Sequence, residues 1–336
     1  MRGSVMQMDI GDVPVTTIDD VPVEILALIL TQSVEPTDRV ACRRVSRLWR
    51  TILAHARRRI NQRKVKRPTY SQAAAGRGYL SLLQWAVGQG CPCDRAACSS
   101  AAKHGHLDVL CWLREDGCPW DSLTCLYAAK GGHLDVLQWA TENGCPCNTA
   151  DICDRAAAGG HLHVLEWARA NGYPWDERTC LRAAEGGHLE VLQWARANGC
   201  PWDEDTCSYA AHLDVLQWAR SNGCPWNKYA CSNAASCGSL DMLRWARRNG
   251  CPWDGDTCTW AALRGHLGIL EWTVANGCPW DQRACTHAAR RGHLEVLRWA
   301  HARGHAMDLD ACREAAESRG HDSIVQWIDS EGKRQP

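Results

Sequence analysis

The chain is predicted to be all-α: a quasi-one-dimensional solenoid of about ten short helical hairpins, with a small three-helix module ahead of it. Two observations predict this. One phrase of sequence recurs ten times, with Trp85, Trp112, Trp139, Trp167, Trp194, Trp218, Trp245, Trp272, Trp299 and Trp327 at spacings of 27, 27, 28, 27, 24, 27, 27, 27 and 28. Each copy also carries two helix-period apolar patterns separated by Gly and closed by Gly and Pro. No single hairpin of this size buries enough apolar area to stand alone, so each must be held by its neighbours.

Residues 1–17 have no periodic apolar pattern and are expected to be disordered. In residues 18–56, Pro22 suits the first turn of a helix, and Ile25, Leu26, Ile29 and Leu30 give it one apolar face. Pro36-Thr37-Asp38 begins a second helix, and Val45, Leu48, Trp49 and Ile52 stripe a third. Three helices in about 40 residues make a core that needs a partner or the array to cover it. Residues 57–69 read as a basic linker. From 39 to 67 there are twelve Arg or Lys and no Asp or Glu, with Arg57-Arg58-Arg59 the densest run. That stretch fits a solvated face pairing with the acidic array, or a nuclear localisation signal. It lacks interleaved aromatics for stacking on bases, so no nucleic-acid partner is expected.

The array occupies residues 70–330. Its clearest copy, Thr179 to Asp203, reads TCLRAAEGGHLEVLQWARANGCPWD. Cys180, Ala183 and Ala184 form the narrow buried stripe of a first helix, and Gly187-His188 turns the chain. A second helix, from about Leu189 to Ala197, is expected to bury Leu189, Val191, Leu192, Trp194 and Ala195. Asn198-Gly199 supplies a left-handed C-cap, Pro201 forbids continuation, and Asp203 caps the next first helix. One copy lacks three residues around Ala210-Ala211-His212-Leu213, which predicts a kink or a tightened turn. The last copy, Asp310 to Lys333, ends in polar residues and suits a cap, with 331–336 a polar tail.

The phrase AAxxGHLEVLQWA…NG resembles the ankyrin repeat, with Ala183-Ala184, Gly187-His188, Leu189-Glu190-Val191 and Gly199 matching by position. The usual period is about 33; the residues missing here fall in the loop, so short GCPWD connections replace projecting fingers. Such short-period arrays look like the ankyrin proteins encoded in many copies by large DNA viruses of amoebae. The N-terminal segment resembles an F-box: Val21-Pro22-x-Glu24-Ile25-Leu26, Glu35-Pro36-x-Asp38 and Val45-Ser46-Arg47-x-Trp49-Arg50. Arg39 stands where that family usually has Leu. The resemblance implies binding to a Skp-family adaptor through Pro22, Ile25, Leu26, Ile29 and Leu30, and recruitment of cargo to a cullin-RING ubiquitin ligase. The alternative is that these helices only cap the array, leaving a plain scaffold or host-interaction protein.

Lys plus Arg and Asp plus Glu are both 38, so bulk attraction to nucleic acid or membrane is not expected. There is no run of about 18 apolar residues and no leader-like apolar core at the start. A monomer in the cytoplasm (of a host cell, if viral), with the nucleus as an alternative, is the expectation. The 21 Cys follow from repetition. Cys91-Pro92-Cys93 and Cys145-Pro146-Cys147 are close pairs, but the C-x2-C spacing of structural zinc sites is absent, so the thiols read as buried small residues. Neither metal, cofactor nor disulfide is expected. Without a phosphate loop, GxSxG or HExxH, no catalytic residue is assigned. An unidentified target protein is expected to meet variable first-helix positions: Tyr127, Arg155, Arg182, Tyr209, Trp260, Arg264, His287 and Arg290, with Lys103, Leu126, Leu181 and Asn233 beside them. The loop residues Trp120, Trp175, Trp202, Trp226, Trp253 and Trp280 form a periodic row read as packing.

Overall fold

The computed structural model describes residues 70–88 and 91–332. The N-terminal module, the basic stretch and most of the polar tail therefore lie outside the described residues. Twenty helices and no strand are found among the described residues. They divide into two compact units, split between Asn148 and Thr149. The first holds α1 (Tyr70–Ala75), α2 (Leu80–Gly88), α3 (Arg95–Lys103), α4 (Leu107–Glu115), α5 (Ser122–Gly131) and α6 (Leu134–Glu142). The second holds α7 (Thr149–Gly159), α8 (Leu162–Ala170), α9 (Glu177–Glu185), α10 (Leu189–Ala197), α11 (Glu204–Ser208), α12 (Leu213–Ser221), α13 (Tyr229–Ser236), α14 (Leu240–Arg248), α15 (Gly255–Arg264), α16 (Leu267–Ala275), α17 (Arg283–Arg291), α18 (Leu294–Ala302), α19 (Leu309–Glu317) and α20 (Asp322–Gly332).

Odd-numbered helices are the first helices of hairpins, and within each unit they stack on one another: α1 on α3 on α5, and α7 through α19 in sequence. Their contact stripe explains why they approach so closely. Cys180, Ala183 and Ala184 are wholly buried, as are Cys98, Ala101 and Ala102 in α3. Residues this small leave little to separate two backbones. The even helices pack beside them through Val, Leu and Ala, such as Val191, Leu192 and Ala195 of α10. Full burial of one such Leu contributes about 2–3 kcal/mol.

The predicted full burial of Trp194 and Leu189 is corrected: both are half-buried. A nine-residue helix covered mainly on one side has room for only Val, Leu and Ala on its inner face. The indole instead packs at the rim. Trp194 meets Trp175 of the preceding loop edge-on at 5.9 Å, and Trp120–Trp139, Trp202–Trp218, Trp226–Trp245 and Trp253–Trp272 repeat that geometry. The loop row is thus packing, each pair adding about 0.5–1.5 kcal/mol.

An Arg in the last turn of the even helix completes the loop. Arg196 lies 4.2 Å over Trp202 and donates to the Cys200 carbonyl four residues on. Arg114, Arg169, Arg220 and Arg247 do the same over Trp120, Trp175, Trp226 and Trp253. Aspartates cap several of the first helices: Asp121, Asp176, Asp203 and Asp254 each accept from the amide two residues ahead.

The Gly-His turns, each between the two helices of one hairpin, also tie consecutive hairpins together. The glycine takes a left-handed φ, +75° at Gly265, and the following His leads the even helix without capping it. Its ring reaches back one hairpin instead. His133 Nε2 donates to Lys103 O at 3.2 Å, His266 to Ser236 O at 3.2 Å, His293 to Leu263 O at 3.2 Å and His321 to Arg290 O at 3.1 Å. Each bond satisfies a carbonyl left over at the end of the preceding first helix.

The shortened copy resolves as a tightened turn. Helix α11 has five residues where its neighbours α9 and α13 have nine and eight. Here the backbone takes over the ring's role: Ala211 N–H donates directly to Ala184 O at 3.0 Å, and His212 begins α12 in extended conformation.

Candidate target-binding face

Position two residues after the buried Cys sets the exposed column of the first helices. It carries Tyr127 in α5, Arg155 in α7, Arg182 in α9, Trp260 in α15 and His287 in α17, with Tyr209 just past α11. Tyr127, Tyr209 and Trp260 are 36, 47 and 40% exposed, high for large aromatics. Arg155, Arg182, Arg264 and Arg290 are exposed, while His287 is half-buried. Burial, reinforced by the charges of Arg290 and Arg283, holds the His287 pKa below the ordinary imidazole value.

Leu126, expected on this face, is buried, and Leu181 is half-buried. The position immediately after the Cys faces the neighbouring first helix, and Ser99, Ser208, Ser232 and Thr259 are buried there too. Its variability therefore reflects inter-helix fit rather than exposure.

In the first unit, Tyr127 borders a cleft of about 490 Å³ lined also by Gln72, Asp94, Arg95, Ser99, Asp121 and Leu123. Leu123 is 44% exposed. The cleft thus joins an apolar lip to two N-cap carboxylates.

In the second unit, Arg155 and Arg182 share a small cleft with Asp151, Asp154 and Arg178. Arg178 organises it, 3.6 Å from Asp151, 3.5 Å from Asp154 and 3.1 Å from Asp176. Asp154 is buried at the inter-helix position that holds Ser, Thr or Leu in the other first helices from α3 to α17. Burial raises its pKa; the 2.7 Å bond from Thr179 Oγ1 and the nearby Arg178 charge oppose the rise without cancelling it. Further along, Lys228 bridges Asp254 at 2.5 Å and Asp256 at 3.4 Å, and Arg283 joins Asp256 at 3.1 Å to Asp281. Such exposed pairs contribute little stability, but they fix the charge pattern beside Trp260.

Sequence reasoning missed Tyr229 and Leu123, exposed at 48 and 44%, because both lie in the first turn rather than in the column two residues after the Cys. It also missed the buried carboxylate, whose signal was an Asp in a column of Ser, Thr and Leu.

The cysteine reading is corrected at one place. Cys125 of α5 and Cys147 of the loop after α6 form a disulfide, with Cα atoms 5.7 Å apart. The loop returns to the helix 22 residues back, a juxtaposition that spacing alone does not reveal. Elsewhere among the described residues the cysteines stand outside disulfides and are mostly buried. Pro22, Ile25, Leu26, Ile29 and Leu30, expected to meet an adaptor, lie outside the described residues, and no helix among those described is long and apolar enough to cross a membrane.

Residues 18–63 match the family model described as F-box-like. Residues 125–169 match the model described as ankyrin repeats (many copies). Among solved structures, the human ASB11 ankyrin repeat domain is similar at 18% identity, covering 46% of this chain and 84% of that chain with a TM-score of 0.38. No curated protein matches the sequence. The chain thus joins an F-box-like segment to ankyrin-like hairpins, both of families that typically serve as protein-interaction modules rather than enzymes.

Proposed function

We propose that the chain is a substrate receptor: the F-box-like segment docks a Skp-family adaptor of a cullin-type ubiquitin ligase, and the array holds the target protein. The single observation that carries this reading is the pairing of an F-box-like match over residues 18–63 with an array whose exposed column varies. Buried Cys and Ala recur from copy to copy, while the position two residues after the Cys changes between Ser, Tyr, Arg, Asn, Trp, His and Glu. Repeated buried residues serve the stack; variable exposed aromatics and arginines are the residue types that anchor interfaces. On this reading the array presents Tyr127 in one unit and Arg155, Arg182, Tyr209, Trp260, Arg264, His287 and Arg290 in the other. The chain acts as a monomer in the cytoplasm, without metal or cofactor at this face.

The test is co-purification of a Skp-family adaptor with the full chain and with Ile25→Asp/Leu26→Asp. A charged side chain in an apolar docking face costs several kcal/mol, so wild type recovers the adaptor and the double variant does not. Equal, negligible recovery from both overturns the ligase role and leaves an interaction scaffold. A target is then sought by affinity purification, with Tyr209→Ala/Trp260→Ala as the comparison.

A further inference from the structure

Two copies depart from the common loop in the same way, with a second cysteine where the tryptophan usually stands. Where five loops read Cys-Pro-Trp, and the remaining two read Tyr173-Pro174-Trp175 and His305-Ala306-Met307, these read Cys91-Pro92-Cys93 and Cys145-Pro146-Cys147. In both, the Arg that stacks on the loop Trp is also gone, replaced by Val87 and Thr141. In these two loops the stacked cation and the indole are both absent, and a second thiol stands at the indole's position.

An ordinary copy already sets its first-helix Cys near the Cys of the following loop, as with Cys180 and the Cys200 carbonyl at 4.0 Å. A third cysteine in the loop turns that pair into a cluster. Cys125, Cys145 and Cys147 have all three Sγ atoms within 4.8 Å of one another, the first two buried and the third half-buried. The loop backbone is shaped for it: Cys147 N–H donates to Cys145 O at 2.7 Å, closing a three-residue turn around Pro146. No other Cys-Pro loop among the described residues makes that bond. With proline fixing the central φ, both loop thiols are held toward Cys125 before any ligand arrives.

We propose that Cys125, Cys145 and Cys147 are a three-thiolate site for a thiophilic d10 cation, Cu(I) or Zn(II). Soft thiolates select these ions over harder ones. Three ligands complete the shell of Cu(I), whereas Zn(II) takes a water as fourth ligand on the half-buried side of Cys147. The Cys125–Cys147 disulfide is the oxidised form of the same trio. A small dithiol opens it: the S–S bond breaks, two electrons and two protons pass from the dithiol, and the dithiol becomes a cyclic disulfide. Binding then replaces three S–H bonds by three metal–sulfur bonds and releases three protons to solvent. The site is independent of the target-binding reading.

The experiment uses the full chain, reduced with dithiothreitol under argon and desalted. It is titrated with Cu(I) against a chromophoric chelator, and separately with Zn(II) against a fluorescent one. One equivalent of ion is expected to withstand the chelator in at least one arm, with X-ray absorption showing sulfur at about 2.3 Å. Cys147→Ser loses that equivalent. So does Thr141→Arg/Cys147→Trp, which rebuilds the ordinary stacked loop and keeps the fold, as circular dichroism will show. Cys200→Ser, in a two-thiol copy, retains it. The proposal is overturned if neither ion is held, if either Cys147 variant holds the ion as wild type does, or if thiol counting shows that the Cys125–Cys147 bridge survives dithiothreitol.

Discussion

Alanine at Gly265 and alanine at Gly277 separate two costs that occur together at Gly-His turns such as Gly105, Gly160, Gly265 and Gly292. Both glycines have left-handed φ, +75° and +79°. An L-residue there costs about 1–2 kcal/mol from the clash of Cβ with the carbonyl that follows. At Gly277 nothing else lies within 4 Å of the added atom. At Gly265 the new Cβ falls 2.6 Å from His293 Nδ1 and 2.8 Å from its Cε1, so the ring must move. Moving it breaks the 3.2 Å bond to Leu263 O, worth about 0.5–1.5 kcal/mol. Gly265→Ala should therefore cost about 2–3 kcal/mol against about 1–2 for Gly277→Ala. In a His293→Ala background the two substitutions should cost the same within about 0.5 kcal/mol. Urea unfolding followed by circular dichroism, with an unchanged m-value, measures both. Equal costs in the wild-type background, or a gap that survives removal of His293, would refute the assignment of these histidines as links between hairpins.

Two further outcomes follow from single sites. Asp154 has a folded pKa above its unfolded value of 3.8, so the native state binds the proton more tightly and stability falls as pH rises through that window. Asp154→Asn, which keeps an acceptor for Thr179, should thus stabilise the chain more at pH 7 than at pH 4; the reverse order in thermal melts would show that Arg178 outweighs burial. Arg196→Gln should lower stability by about 1 kcal/mol through loss of the contact over Trp202, and Arg196→Lys should recover only part of it because the planar fork is lost. A full recovery by Lys would mean that charge alone matters there.

Much of the molecule was legible in one dimension because a repeat array is nearly one-dimensional itself. Thr179 to Asp203 shows a helix stripe, a Gly turn, a second helix, a Gly cap and an Asp cap in reading order, and α9 and α10 lie where those signals place them. Local propensity and local burial agree at each of these positions, so no distant contact was needed to choose between them. The exposed column of Tyr127, Arg182 and Trp260 was legible for the same reason: it lies at fixed offset from the buried Cys.

What the tertiary structure decided are the contacts that cross from one hairpin to the next. Nothing local marks the histidine as a bond to a carbonyl about 30 residues back, or the position after the Cys as an inter-helix seam that buries Leu126 and Asp154. Nor does spacing show that the loop of Cys145 and Cys147 closes on Cys125. The sequence by itself determined the unit, because a unit is made by periodicity and turn chemistry within 27 residues. Its interfaces had to be seen, because the angle and offset between stacked helices, set by side-chain volume, decide which groups meet.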